Sequence, residues 1–106
     1  MFTHLRAGPG YPRAAGSSEY DQEHGTRELH VTLTGISGLA GHSVTVLVGG
    51  RRIGTVAVLG SGRAHGKWDT EHGQHVPGVV AGNQVQIRTA GGAVVASGIY
   101  APKHED

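Results

Sequence analysis

Eight histidines in 106 residues are the side chains here most able to do chemistry. His72 and His75 stand three apart in Glu71-His72-Gly73-Gln74-His75, and His65 precedes them by about one strand length. Neutral imidazoles are good transition-metal ligands, and a neighbouring carboxylate can complete such a site. This pair, however, falls in a glycine-containing loop, where nothing holds both rings on one face. A helical His-Glu-x-x-His would do that. With no cysteine and no second tight pair, surface histidines are the preferred interpretation, with no cofactor expected. A metal-binding protein or small metalloenzyme using His65, His72 and His75 is the alternative. His4, His24, His30, His42 and His104 are scattered and are expected to face solvent.

Other chemistry finds less support. None of the serines stands in a Gly-x-Ser-x-Gly nucleophile elbow, and Gly60-Ser61-Gly62 is better explained as a turn. Asp69 and Glu71 border a loop with no apolar pocket to split their pKa values into acid and base roles. The glycines of Gly35-Ile36-Ser37-Gly38-Leu39-Ala40-Gly41 lack the following helix whose N-terminus would bind a phosphate. Arg51, Arg52, Arg63 and Lys67 offer a small basic patch for an acidic partner or phosphate, or simply solubilise an exposed sheet edge.

The elements that carry these residues are strands. From residue 27 the apolar period is two: Leu29, Val31 and Leu33 alternate with His30, Thr32 and Thr34. Val44, Val46 and Val48 share a face, then Gly49-Gly50 and a run from Ile53 to Val58 form a tight hairpin. Further strands are expected at 64–69, 84–89 and 93–100, with Trp68 covering one end of the core. About six strands separated by turn signals, with no helical period, predict a small antiparallel β-sandwich of about six to eight short strands. Sandwich and small barrel stay open.

Residues 1–26 carry Gly8, Pro9, Gly10, Pro12, Gly16 and Gly25 without sustained periodicity, the composition of an extended N-terminal arm. Phe2, Leu5, Tyr11 and Tyr20 are the anchors such an arm would dock with. The predicted organisation is an arm over 1–26, a β domain over 27–101 and a polar tail over 102–106.

Composition narrows the partners. Nineteen glycines without a Gly-x-y period are turn punctuation rather than collagen. A net charge of +1 gives no basic footprint for nucleic acid. No run approaches a membrane span. The N-terminus lacks the apolar core of a secretory signal. One tryptophan and few other aromatics make a carbohydrate-binding platform a weaker option, and no small-molecule substrate is expected.

The segments E-L-H-V-T-L-T-G (28–35), V-T-V-L-V-G-G-R-R-I-G-T (44–55), D-T-E-H-G-Q-H-V-P (69–77) and V-Q-I-R-T-A-G-G-A-V-V-A-S-G-I-Y (85–100) resemble a family of small Ig-like β-sandwich domains, bacterial and phage-associated and mostly without assigned function. The resemblance covers about three-quarters of the chain. It implies the sandwich and carries no catalytic motif. Together with the arm, it leads to the expectation of a non-enzymatic structural or interaction protein. The leading case is a decoration or minor subunit of a phage virion or similar shell or fibre, with protein partners or self-association and a virion or extracellular setting.

Overall fold

The computed structural model describes residues 1–102. They form eight strands: β1 (Phe2–Ala7), β2 (Ala15–Glu23), β3 (Thr26–Thr34), β4 (Ser43–Val48), β5 (Arg51–Ala57), β6 (Ala64–Asp69), β7 (Gln84–Thr89) and β8 (Val94–Ile99). All belong to one antiparallel sheet in the order β5-β4-β7-β8-β1-β2-β3-β6. The small all-β antiparallel domain expected from the period-two pattern is therefore present. Its single sheet curls until the two edges meet, which makes the architecture a nearly closed barrel.

The closing seam lies between β5 and β6. At the turn joining them, the Leu59 N–H donates to the Arg63 carbonyl at 2.8 Å. Further along, side chains fill the seam. A Cβ on Gly54 of β5 would lie 2.8 Å from Trp68 Nε1, and one on Gly66 of β6 would lie 2.5 Å from the same indole. Only glycine at both positions lets the Trp68 ring lie across the seam. The indole thus seals the barrel wall instead of covering an end.

The core follows from alternation. Leu29, Val31 and Leu33 point inward from β3, Val44, Val46 and Val48 from β4, and Val85 and Ile87 from β7, all buried. Each such side chain contributes on the order of 1.5–3 kcal/mol by leaving water. The predicted Gly-Gly hairpin is present: Gly49 and Gly50 have φ of 58° and 80°, the pair of positive values a two-residue type I′ turn requires. Val76 and Val79, from the loop that follows the Thr70–His72 3-10 turn, are also buried.

One expectation is corrected. Residues 1–26 are not an arm outside the domain but two paired strands and their connection. β2 pairs with β1 from Phe2↔Glu19 to Arg6↔Ala15 and with β3 from Ala15↔Thr34 to Glu23↔Thr26. β1 is joined in turn to β8. Between β1 and β2 the Gly8 N–H donates to the Val95 carbonyl at 2.8 Å, so the connection is fastened as well. The boundary at 26/27 thus falls inside a β-hairpin, and the barrel runs from Phe2 to Ala101. The physical reason for the error is local. The inward positions of β2 are Gly16, Ser18 and Tyr20, so its buried face carries almost no apolar signal. Of the predicted tail, residues 103–106 lie outside the described residues.

Ser18 is buried in this barrel because it is fully partnered. Its hydroxyl donates to the His30 carbonyl at 3.1 Å and accepts from the Tyr100 hydroxyl at 2.5 Å, tying together β2, β3 and the segment after β8. Burial pushes the Tyr100 phenol up to about 12, against an opposing pull from the Ser18 hydrogen bond. A phenol whose folded pKa exceeds its unfolded value of about 10 contributes its full stability below pH 10 and loses it as pH rises towards 12. The loss amounts to about 2–3 kcal/mol. Urea unfolding should therefore find Tyr100→Phe about 1 kcal/mol less stable than the parent at pH 8. The order should reverse near pH 12, where only the parent pays for an ionised phenol. A difference independent of pH would contradict this account.

Candidate functional site

The barrel interior is packed. Beneath the seam, the space bounded by Val31, Leu33, Val44, Val46, Val56 and Ala64 is apolar and leaves no room for a water molecule. A binding site must therefore lie on the outside of the wall or at a barrel end.

On the wall, β1 and β8 pair at Arg6↔Ser97 and Ala7↔Ala96 and meet again at the Phe2↔Ala101 bridge. There the Phe2 N–H donates to the Ala101 carbonyl at 2.9 Å, and the Ala101 N–H returns a bond at 3.1 Å. Along this stretch the outer surface forms an open groove of about 730 Å³, lined by Phe2, His4, Arg6, Ser97, Ile99 and Pro102 among others. Phe2 stands edge-on to His4 with ring centroids 4.9 Å apart. Ile99 is 63% exposed. The groove thus has an aromatic and aliphatic surface, a guanidinium and an imidazole, and no carboxylate among its described lining residues.

Of the four expected docking residues, the structure leaves Phe2 at this groove. Leu5 and Tyr20 are 4% and 3% exposed and belong to the barrel's own core. Both occupy inward positions of strands that the sheet completes on both sides, so they are not available to a partner. Tyr11 is partly buried against the core in the β1–β2 connection, where its N–H donates to the Gly8 carbonyl.

The three candidate metal ligands are not assembled into a site. His65 lies on the outer face of β6, opposite Thr32 and 6.3 Å from the His30 ring. His72 is in the Thr70–His72 turn, with Nδ1 3.6 Å from Asp69 Oδ2. His75 belongs to the following loop, beside Arg27 and Arg51. Among the described residues, no three of His, Cys, Asp and Glu converge as metal ligands.

Of the two acidic candidates, Asp69 has a structural duty, and Glu71 takes part through its backbone N–H. The buried Asp69 carboxylate accepts the Glu71 N–H at 2.8 Å and caps the 3-10 turn, while its backbone N–H donates to Gln74 Oε1 at 2.9 Å. On the outer face, the Glu28 carboxylate accepts from His30 Nε2 and lies 3.4 Å from Lys67 Nζ. The His30 hydrogen bond holds the Glu28 carboxyl below its ordinary value, with Lys67 adding to the effect against some desolvation. Lys67 is thereby paired on the outer face while Arg51 lines a basin at a barrel end, so these two do not share a patch.

Sequence reasoning missed Arg6, Ile99 and Arg27. Ile99 had a weak signal: it alternates with Gly98 and shares parity with the polar Ser97, so an outward Ile was legible once a strand was assumed. Arg6 and Arg27 had none, because one sat in the supposed arm and the other at its boundary. Among the described residues, no helix is long and apolar enough to cross a membrane. Comparison with protein-family models and with curated proteins finds no match.

Proposed function

We propose that this chain is a non-enzymatic interaction domain whose docking surface is the β1/β8 groove. The observation that carries this proposal is the exposure of Ile99 and Pro102, with Phe2 half-buried between them and the exposed Arg6 and His4. Contiguous apolar surface with polar surroundings marks a recognition site. Arg6 supplies the positive charge among the described lining residues, whereas Glu19 stands opposite Phe2 in the β1–β2 ladder, so the Arg6 end is the one that selects an acidic group. The occupant is an extended protein segment that alternates apolar and acidic residues, with the apolar ones seated on Phe2 and Ile99.

The polar groups that catalysis would use are committed elsewhere: Ser18 to Tyr100 and His30, Asp69 to its turn, Glu28 to His30 and Lys67. This supports a binding role. The resemblance to phage-associated domains makes a large repeated assembly, such as a virion, the setting to examine first. In that setting a folded face replaces the N-terminal arm as the means of attachment.

The test uses two peptide sets, one alternating Leu with Asp or Glu and the other alternating Leu with Lys or Arg, titrated into the labelled protein by NMR. The acidic set should shift the amides of Phe2, Arg6, Ser97 and Ile99. A Phe2→Ser/Ile99→Ser variant should keep the parental fold and bind at least about ten-fold more weakly, as loss of apolar anchors does. Equal binding of both sets, or shifts that map away from β1 and β8, would overturn the proposal.

A further inference from the structure

At the end of the barrel where β4 turns into β5, an open basin of about 360 Å³ brings together residues from distant parts of the chain. Arg27 comes from the start of β3, Arg51 from the start of β5, and His75 from the loop after the Thr70–His72 turn. Gly49, Gly78 and Asn83 complete much of the rim, and none of the described lining residues is acidic. Two guanidiniums and an imidazole thus share a polar basin with no carboxylate among its described lining residues.

Arg27 is the fixed member. Its backbone N–H donates to Thr70 Oγ1 at 2.9 Å, and its Nη1 donates to the Val76 carbonyl at 3.2 Å. The loop passes close over it: a Cβ on Gly78 would lie 3.8 Å from the guanidinium carbon. One donor of the guanidinium fork is therefore spent on holding it still, and the others remain for a ligand. Arg51 is exposed and forms no ion pair among the described residues.

We propose that this basin binds the phosphate group of a small phosphate-bearing molecule or of free phosphate. Guanidinium forks match the oxygens of a tetrahedral oxyanion, and a planar, pre-held fork loses little freedom on binding. The imidazole of His75 adds a further donor. Gathering like charges is unfavourable until an anion neutralises them, so the basin is electrostatically prepared for one. Its volume exceeds what one phosphate fills, which leaves room for the group that carries it.

The experiment is an NMR titration of the full chain with inorganic phosphate, at ionic strength held constant with chloride, followed by a simple sugar phosphate under the same conditions. Saturable shifts at Gly49, Arg51 and Gly78 are expected with phosphate. Arg51→Gln, an exposed substitution chosen to spare the fold, should weaken binding at least about ten-fold. Arg51→Lys keeps the charge but loses the fork and should recover only part of that loss. Tighter binding of the sugar phosphate identifies a carried phosphate as the ligand, and equal binding identifies the free ion. Shifts no larger than those from chloride, or unchanged binding by Arg51→Gln, would overturn the assignment.

Discussion

A chain lacking residues 1–23 is expected not to fold. β1 and β2 are the fifth and sixth of eight strands in sheet order, so their removal opens a gap between β8 and β3. Two missing strands leave those neighbours too far apart to pair without rebuilding the barrel, since each strand occupies about 4.8 Å. The deletion also removes Leu5, Ala14 and Tyr20 from the core, strips Ser18 from Tyr100 and uncovers the buried faces of Leu29 and Val95. A small domain has only about 5–15 kcal/mol of stability in total, and the combined loss exceeds it. Circular dichroism and a proton–nitrogen correlation spectrum should show collapse to an unfolded or aggregated chain. An arm outside the domain would have left a well-dispersed spectrum.

Gly35→Val should be the most damaging single substitution in the loops. Gly35 has φ of +75°, and a Cβ there would sit 2.0 Å from the Arg13 carbonyl oxygen. A β-branched residue meets both difficulties together: a left-handed backbone it adopts poorly, and a collision with backbone that cannot rotate away. A cost of about 3–5 kcal/mol is expected, in the range reserved for a specific structural defect. Gly25→Asn is the comparison. Its φ is +81°, nothing lies within 4 Å of the added Cβ, and Asn tolerates that conformation. It should cost no more than about 1 kcal/mol in urea unfolding. Similar losses at both positions would mean that backbone conformation alone sets the cost, and that the β3 exit does not press on the β1–β2 connection.

What the chain discloses before folding depends on which face of each strand is apolar. β3 and β4 are legible because Leu29, Val31, Leu33, Val44, Val46 and Val48 repeat every second residue, and Gly49-Gly50 marks the turn. β1 and β2 are not, because their inward positions include Thr3, Gly16 and Ser18, whose places depend on partners distant in sequence. Ser18 belongs inside only because Tyr100 and the His30 carbonyl are there to receive it. Gly16 belongs in β2 because a Cβ would lie 1.9 Å from the Thr32 carbonyl oxygen across the ladder. Register shifts at Val46/Leu47 and Ile87/Arg88 break the simple alternation further. Trp68 was legible as a packing residue, but its position in the seam follows from Gly54 and Gly66 on opposing edges.

The surface sites are less legible still. The groove joins the first strand to the last, and the phosphate basin draws Arg27, Arg51 and His75 from three separate segments. Only the sheet order brings either set together. The one docking residue that reached such a surface, Phe2, did so because it faces outward from β1, whereas Leu5 faces inward on the same strand.

The groove exists only if the first two strands, β1 above all, are held in the barrel wall. Native-state hydrogen exchange of the full chain tests this directly. The ladder amides of β1 and β2 are predicted to exchange as slowly as those of β3 and β7, at rates set by global unfolding. Exchange of β1 and β2 within seconds, while β3 and β7 stay protected, would contradict it.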